Sequence, residues 1–148
     1  LLERLVDDIA NRGFSVSTMK HAHHNFDVDQ KGKDSFRHRK AGAHQVFLSS
    51  DVRWVLMTEL RESLKLTMEE QLGKMDPVDL VLIEGFKTND HLKIETYRSV
   101  TGQQLIAPSD KNIIAVATND KIDTVVQTLN LDDTKTIADF VLKTVGLL

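Results

Sequence analysis

Hydrophobic residues at the start of the chain recur with helical spacing. They stand at positions i, i+1, i+4, i+5 and i+8 and are Leu1, Leu2, Leu5, Val6 and Ile9. This spacing predicts one apolar face of a helix, and the face is already present at the first residue, with no capping residue before it. We therefore expect the chain to begin inside a helix, with residues upstream of Leu1, and we expect Gly13 to end that helix.

Two other hydrophobic patterns predict strands. Short segments rich in hydrophobic residues and bounded by turn residues predict strands over about 14–20, 43–48, 52–57 and 92–97. The second and third are expected to form a hairpin, and the fourth an edge strand. Continuous apolar runs at 79–83 and 113–117 are typical of strands covered on both faces, as in a parallel sheet. Residues 21–33 are polar and predict a loop.

Three further helices complete the predicted order. Asp34 or Ser35 is expected to cap a short helix through Ala41, and the last helix spans about 134–145 with Gly146 as its cap. Between them, the segment 67–70 matches a capping box that opens a helix burying Met68, Leu72 and Met75, and Pro77 prevents its continuation. Helices and strands alternate, which predicts an α/β sheet in a single domain over residues 1–148.

Composition narrows the function classes. The chain has 148 residues, a formal net charge of −3 and no cysteine, so no disulfide or thiolate chemistry is available. An overall basic footprint is missing, which argues against nucleic-acid binding. The apolar runs are too short to span a bilayer, and no signal peptide is visible, so we expect a cytoplasmic protein.

Polar side chains follow three of the predicted strands. Lys20 and His21 follow the first, Glu84 and Lys87 the second, and Thr118-Asn119-Asp120 the third. Ligands of open α/β sheets bind beyond the carboxyl ends of the strands, so these groups are expected to converge on one crevice.

The segment 79–85 is typical of nucleotide-hydrolysing folds. In such folds an acid after a buried strand holds Mg²⁺, directly or through water, and Glu84 stands at that position. Gly85 permits a sharp turn and a close approach, and Lys87 is placed to meet phosphate. The alternative is an ordinary buried strand that ends in a solvated loop.

The segment 17–44 carries five of the six histidines and a basic run at 31–40. His21, His23 and His24 could bind a transition metal, or they could be three solvated loop residues. Arg37 and Arg39 stand two apart, so on a helix they point to different faces. One is expected to reach an anion while the other faces solvent or a partner; a solvated basic face is the alternative.

Two features bear on guanine nucleotides. The carboxylate of Asp120 could accept hydrogen bonds from N1–H and N2–H of guanine, although Asn and Asp also favour plain turns. No GxxxxGK[ST] phosphate loop occurs in the chain. Such a loop precedes the first helix of its fold, so its absence fits both a strand and loop upstream of Leu1 and a protein without one.

The segments TMKHAHHNFDVDQKGKDSFRHRKAGAH (18–44) and DLVLIEGFK (79–87) together closely resemble the MobB family of molybdopterin-guanine dinucleotide biosynthesis proteins. The likeness runs from the LLERL helix to IADFVLKTVG. The resemblance implies a P-loop NTPase-like fold with a largely parallel, mixed sheet flanked by helices, whose first strand and P-loop are absent from this chain. It also implies Mg²⁺-dependent GTP binding with weak GTPase activity, and a homodimer. The implied partners are a MobA-type guanylyltransferase and the molybdopterin cofactor.

The resemblance also implies roles for individual residues. Glu84 and Lys20 would be the catalytic pair, with Glu84 linked to Mg²⁺ and Lys20 and His21 facing the phosphates. The remaining implied roles are Mg²⁺ contacts for Asp27 and Asp29, anion contacts for Arg37 and Arg39, and base contacts for Asn119 and Asp120. Hydrolysis would rest on positioning and charge neutralisation.

Two other functions remain open. One is a non-enzymatic dimeric adapter that binds a partner or cofactor through the basic segment 17–44. The other is a metal-delivery GTPase that uses His21, His23 and His24.

Overall fold

The computed structural model describes residues 1–22, 26–62 and 64–148. Its contacts divide the chain into two compact units. Unit 1 comprises residues 1–21 and 77–148, and unit 2 comprises residues 22–76, so unit 2 is inserted in sequence between two parts of unit 1. The hydrophobic pattern gave no sign of this division, and a single domain over 1–148 stays a prediction.

Eleven α-helices and β-strands are described, together with two 3₁₀ turns at Ser99–Thr101 and Ala107–Ser109. In chain order they are α1 (Leu2–Asn11), β1 (Val16–Lys20), α2 (Asp34–Lys40), β2 (Gln45–Ser49), β3 (Trp54–Thr58), α3 (Met68–Leu72), β4 (Leu80–Glu84), β5 (Lys93–Thr96), β6 (Ile113–Ala117), β7 (Gln127–Leu129) and α4 (Thr134–Thr144). All but β7 lie where the sequence predicted them, within about two residues for most and with α3 shorter than expected. Short β7 was missed because it carries no hydrophobic period.

The strands of unit 1 are parallel, as predicted. β1 pairs with β4, and the register brings Lys20 opposite Glu84 at the carboxyl ends of both strands. β5, β6 and β7 form a three-stranded sheet in that order, with β6 central and β5 at an edge. The register of β5 and β6 shifts between Lys93 and Ile94.

The core of unit 1 joins α1 and α4 to strands of both sheets. Leu80 of β4 and Ala115 and Ala117 of β6 belong to one buried cluster with Ile9 and Leu142, which are fully enclosed. Because α1 supplies Leu5 and Ile9 to this cluster, its predicted apolar face is confirmed. The helices therefore support the strands whose carboxyl ends carry the polar residues.

Glycines end both long helices. Gly13 follows α1 with φ +94°, and Gly146 follows α4 with φ +76°. After α4, the amide of Leu147 donates to Leu142 O at 2.9 Å and the amide of Gly146 donates to Lys143 O at 3.2 Å, which is a Schellman motif. Both predicted caps are thus confirmed.

Unit 2 contains α2, the β2–β3 hairpin and α3. The antiparallel hairpin is confirmed, and Thr67 and Glu70 form the predicted capping box of α3. α3 ends at Leu72, well before Pro77, and buries Met68, while Leu72 and Met75 are half-buried. The predicted cap of α2 was wrong, because Lys33 occupies that position and makes no side-chain cap bond.

Within the described parts of the chain, no helix is both long and apolar enough to cross a membrane.

Candidate functional site

Two of the three predicted strand ends meet. Nζ of Lys20 lies 3.3 Å from Oε2 of Glu84, and the amide of His21 donates to the Glu84 carbonyl at 2.9 Å. The side chains of Lys20 and Glu84 are 69% and 52% exposed, so a ligand can reach both. A cation and an anion thus stand side by side at the carboxyl edge of β1 and β4, where the sequence predicted a ligand site.

The turn after β4 is tightly constrained. Gly85 has φ +98°, and a Cβ added there would lie 3.0 Å from Cβ of His21. Phe86 also has a positive φ, +51°, which is strained for a residue with a side chain. Its ring packs on the His21 imidazole, with ring centroids 4.9 Å apart. Glycine is therefore required where the β4 turn passes β1.

Replacing Gly85 by alanine is expected to destabilise unit 1 by at least about 1–2 kcal/mol, because the left-handed backbone becomes strained and the new methyl group presses on His21. Thermal unfolding measures the loss. Gly13→Ala is the matched control, since Gly13 has a similar φ of +94° and nothing within 4 Å of an added Cβ. Equal losses in the two variants would show that the close approach to His21 is unimportant.

Sequence reasoning missed Lys93, which organises the next loop. Its Nζ donates to the carbonyls of Lys87 (2.9 Å) and Asn89 (2.8 Å), and it lies 2.7 Å from Oδ2 of Asp110. The Lys93 hydrogen bond lowers the pKa of Asp110, and burial together with Lys93 lowers the pKa of His91. The Lys87 side chain, the predicted phosphate contact, is exposed on this loop.

Glu95 was also missed. It is 9% exposed, and its two carboxylate oxygens accept from the amides of Ile106 and Ala107, both at 2.8 Å. The signal was present in the sequence, since Lys93 and Glu95 place opposite charges two residues apart, on one face of a strand. The alternation over 92–97 by itself predicts only an ordinary edge strand.

The end of β6 forms a braced corner. Asn119 Nδ2 donates to Asp132 Oδ2 at 2.6 Å, and Asn119 Oδ1 accepts from the Leu131 amide at 3.1 Å. Asp120 Oδ2 accepts from the Ser99 amide at 2.6 Å, a bond that lowers the pKa of Asp120. These contacts support the turn alternative, and the predicted base contacts stay predictions.

The acidic loop and the basic helix of unit 2 neutralise each other. Arg39 donates to both oxygens of Asp29, from Nη2 at 2.7 Å and from Nε at 3.2 Å, to Asp27 at 2.6 Å and to Glu59 at 3.1 Å. The Asp29 side chain is completely enclosed and that of Arg39 is 11% exposed. These bonds lower the pKa of Asp29 and raise that of Arg39. We call these four residues the Arg39 cluster.

This pairing bears on the predicted ligand roles. Asp29 could bind Mg²⁺ only if Arg39 released it, and Arg39 could bind an anion only if it left its carboxylates. Arg37, in contrast, is 74% exposed and lies 3.9 Å from Asp34. The two arginines thus face different ways on α2, as their spacing predicted, and Arg37 is the one that a partner could reach.

The hairpin of unit 2 exposes a large apolar surface. Phe47, Trp54 and Leu56 are 61%, 65% and 45% exposed, and the rings of Phe47 and Trp54 stack with centroids 5.5 Å apart. The register Phe47↔Leu56 and Ser49↔Trp54 places these three side chains on one side of the hairpin, which we call the outer hairpin face. Val52, in the turn between the two strands, is 84% exposed. Exposed apolar surface of this kind marks interaction sites.

The histidine hypothesis lies largely outside the described residues, because His23 and His24 fall there. His21 packs on Phe86 in the structure. Among the residues that are described, no group of three or more His, Asp or Glu is arranged to hold a metal ion.

Comparison with known proteins identifies the chain's relatives. The family model described as "Molybdopterin guanine dinucleotide synthesis protein B" matches residues 1–119. A molybdopterin-guanine dinucleotide biosynthesis adapter protein of Escherichia coli is 38% identical over 148 residues, covering 97% of this chain and 83% of that protein. The adapter protein of the same name from Haemophilus influenzae is 39% identical over 144 residues, covering 95% and 79%.

Solved structures agree on the fold. MobB of Bacillus subtilis superposes with a TM-score of 0.68 at 23% identity, covering 96% of this chain and 86% of that one. A MobB homologue from Bacillus stearothermophilus gives 0.67 at 20% identity, covering 99% and 88%. The predicted P-loop NTPase-like α/β fold, with parallel strands flanked by helices, is confirmed.

Proposed function

The chain belongs to the molybdopterin guanine dinucleotide synthesis protein B family, and we propose that it is a GTP-binding adapter with weak GTPase activity in the biosynthesis of molybdopterin guanine dinucleotide. Its proposed partner is a MobA-type guanylyltransferase that attaches GMP to the molybdopterin cofactor. The names of the Escherichia coli and Haemophilus influenzae relatives support the adapter role.

The juxtaposition of Lys20 and Glu84 carries the nucleotide part of the proposal. A magnesium–phosphate ligand presents both signs of charge, and each of these side chains can exchange its present partner for the opposite charge of that ligand. Both are largely exposed, so little desolvation opposes the exchange. The carboxylate of Glu84 is also the kind of oxygen donor that Mg²⁺ prefers.

In the proposed GTP hydrolysis, few side chains have assigned roles. Glu84 would hold Mg²⁺ directly or through water, and Lys20 and Lys87 would orient the phosphates. Bound Mg²⁺ would supply charge neutralisation on the phosphate oxygens. We assign no side chain as a general base, so hydrolysis would be slow and would rest on positioning and electrostatics.

Guanine recognition would fall to the corner after β6. Both oxygens of Asp120 are needed to accept from N1–H and N2–H of guanine, and one of them now accepts from Ser99. Each carboxylate oxygen has two lone pairs, so the oxygen that accepts from Ser99 could also accept from guanine, while Asn119 would keep the corner attached to Asp132.

Calorimetric titration of the complete protein with GTP and with ATP, with and without Mg²⁺, tests this function. We expect GTP to bind more tightly than ATP, and Mg²⁺ to strengthen the binding. A complete protein that binds neither nucleotide nor any phosphate anion beside Glu84 would contradict the proposal.

The outer hairpin face supports a second candidate, a non-enzymatic dimeric adapter. A two-stranded hairpin is marginally stable alone, and an isologous contact with a second copy would cover the same face on both chains. The exposed apolar side chains there amount to roughly 500 Å² per copy, so a dimer would bury about 1,000 Å², near the lower limit for a specific interface. A second copy is therefore the occupant that we propose.

In this second candidate, the cations of unit 2 would receive the partner or cofactor. Lys31, Lys33, Arg37 and Lys40 are exposed, whereas Arg39 is already paired. Their charge suits an anionic ligand. GTPase assays with and without the guanylyltransferase separate the two candidates. A nucleotide affinity near zero would favour the adapter.

Replacing Trp54 by serine is expected to weaken the dimer by about 30-fold or more, since a central aromatic anchor is a typical interface hot spot. Sedimentation velocity over a concentration series measures the dissociation constant. Val125→Ser is the control, because Val125 is 100% exposed and lies outside the hairpin. Dimerisation that survives in the Trp54 variant would assign the interface to another surface.

A further inference from the structure

We propose that Lys93 is a positioning residue that fixes the turn after Glu84 and thereby places Lys87 against the phosphates. The inference rests on the proposed nucleotide function and adds to it a residue that makes no ligand contact of its own. Lys93 follows the turn in sequence, at the start of β5, and its ammonium group reaches back to the turn.

The contacts of Lys93 use its full hydrogen-bonding capacity. An ammonium group has three N–H donors, and three acceptors lie within 3 Å of Nζ: Lys87 O at 2.9 Å, Asn89 O at 2.8 Å and Asp110 Oδ2 at 2.7 Å. The Lys93 side chain is 13% exposed and that of Asp110 is 18% exposed, so the pair is largely withdrawn from water. A surface lysine with a solvated role would not be enclosed in this way.

The surroundings hold Lys93 in this orientation. The register shift between β5 and β6 falls beside Lys93, and the Lys93 amide donates to Asn112 O at 2.8 Å. Asp110 is itself fixed, because its Oδ1 accepts from the Asn112 amide at 2.9 Å. The ammonium group is therefore anchored to the β5–β6 sheet independently of its contacts with the loop.

The loop in turn depends on that anchor. The Asn89 amide donates to Phe86 O at 3.1 Å and the His91 amide donates to Asn89 O at 3.1 Å, which closes two short turns around the two carbonyls that Lys93 binds. Lys87 lies within the first of these turns and exposes its side chain. Lys93 thus fixes the backbone of Lys87 and leaves the Lys87 ammonium free to contact a ligand.

A double-mutant cycle in the complete protein tests this inference. Lys93→Met and Lys87→Met are each expected to weaken Mg²⁺–GTP binding by about tenfold, as loss of a charged hydrogen bond does. Because Lys93 acts through Lys87, the double variant should bind no more weakly than Lys87→Met alone. If the affinity losses of the two single variants multiply in the double variant, the positioning role is overturned. Independent losses are what a general structural defect from Lys93→Met would cause.

Hydrogen exchange supplies a readout that needs no nucleotide. In Lys93→Met the amides of Asn89 and His91 should exchange about tenfold faster, while Asp110→Asn, a milder change, should give a smaller increase. Lys135→Met is the control; it removes a surface pair with Asp139 and should leave both amides unchanged. Unchanged exchange in folded Lys93→Met overturns the anchoring. If the wild-type protein does not bind GTP, the proposed function is contradicted. Amide exchange at Asn89 and His91 then still tests whether Lys93 anchors the loop.

Discussion

Replacing Arg39 by methionine is expected to loosen the β2–β3 hairpin and α2 while leaving unit 1 folded. Unit 2 has little apolar core, since Val46 and Met68 are the buried apolar residues among those described in it. The Arg39 cluster joins the loop before α2, the helix itself and the residue after β3. Methionine keeps much of the aliphatic stem but leaves an enclosed carboxylate on Asp29 without a cation, which is strongly unfavourable.

Amide hydrogen exchange measures this effect unit by unit. We expect the amides of β2 and β3 to exchange at least about tenfold faster in Arg39→Met, with α1 and α4 unchanged. Arg37→Met is the matched control, because Arg37 lies two residues away on the same helix and is 74% exposed. If both variants behave alike, the Arg39 cluster does not hold unit 2 together.

Acid provides a second readout of the same cluster. The pKa of Asp29 is lowered in the folded state by the hydrogen bonds from Arg39. A carboxylate of this kind stabilises the fold above its unfolded pKa of about 3.9, and the stabilisation is lost as pH falls through the lower folded value. The fluorescence of Trp54, the only tryptophan, should report loosening of unit 2 below about pH 4, and Asp29→Asn should lose part of this dependence.

Replacing Glu84 by glutamine is expected to lower Mg²⁺-dependent GTP hydrolysis by about 10- to 100-fold in the complete protein, because the amide keeps the shape but loses the charge that would hold Mg²⁺. The fold should be little affected, since the Lys20–Glu84 pair is exposed and such pairs stabilise weakly. Steady-state phosphate release at several Mg²⁺ concentrations measures the effect.

Two companion variants sharpen that test. Lys20→Met should weaken GTP binding, because its ammonium group is proposed to face the phosphates. Glu69→Gln makes the same chemical change on the exposed surface of α3 and should leave hydrolysis unchanged. Wild-type rates in Glu84→Gln would remove Glu84 from the catalytic pair.

The meeting of Lys20 and Glu84 could be predicted because it depends on local patterns alone. Each residue ends a strand of clear period or composition, and parallel pairing brings such ends to the same edge. The positive φ of Gly85 was likewise visible as a glycine directly after a strand. The confirmed family resemblance rests on these same residues.

The partners of Arg39 and Lys93 could not be predicted in the same way. Arg39 looked like a free cation in a basic run, yet its partners include Asp29, ten residues earlier, and Glu59, twenty residues later. A run of charged residues has no periodicity from which to predict which of its side chains are buried. Lys93 was hidden by its edge strand, where a charged residue is the ordinary expectation. Tertiary packing decides such pairs.

The insertion of unit 2 between β1 and β4 has a consequence for the order of folding. The two strands cannot pair until the ends of the intervening residues 22–76 are brought together. Closing a flexible segment costs more entropy as it lengthens, about 0.6 kcal/mol per doubling, and contacts distant in sequence slow the search for the native state. If unit 2 becomes compact early, it shortens that search. Variants that weaken the Arg39 cluster should then slow the pairing of β1 with β4 during refolding, although Arg39 lies in neither strand.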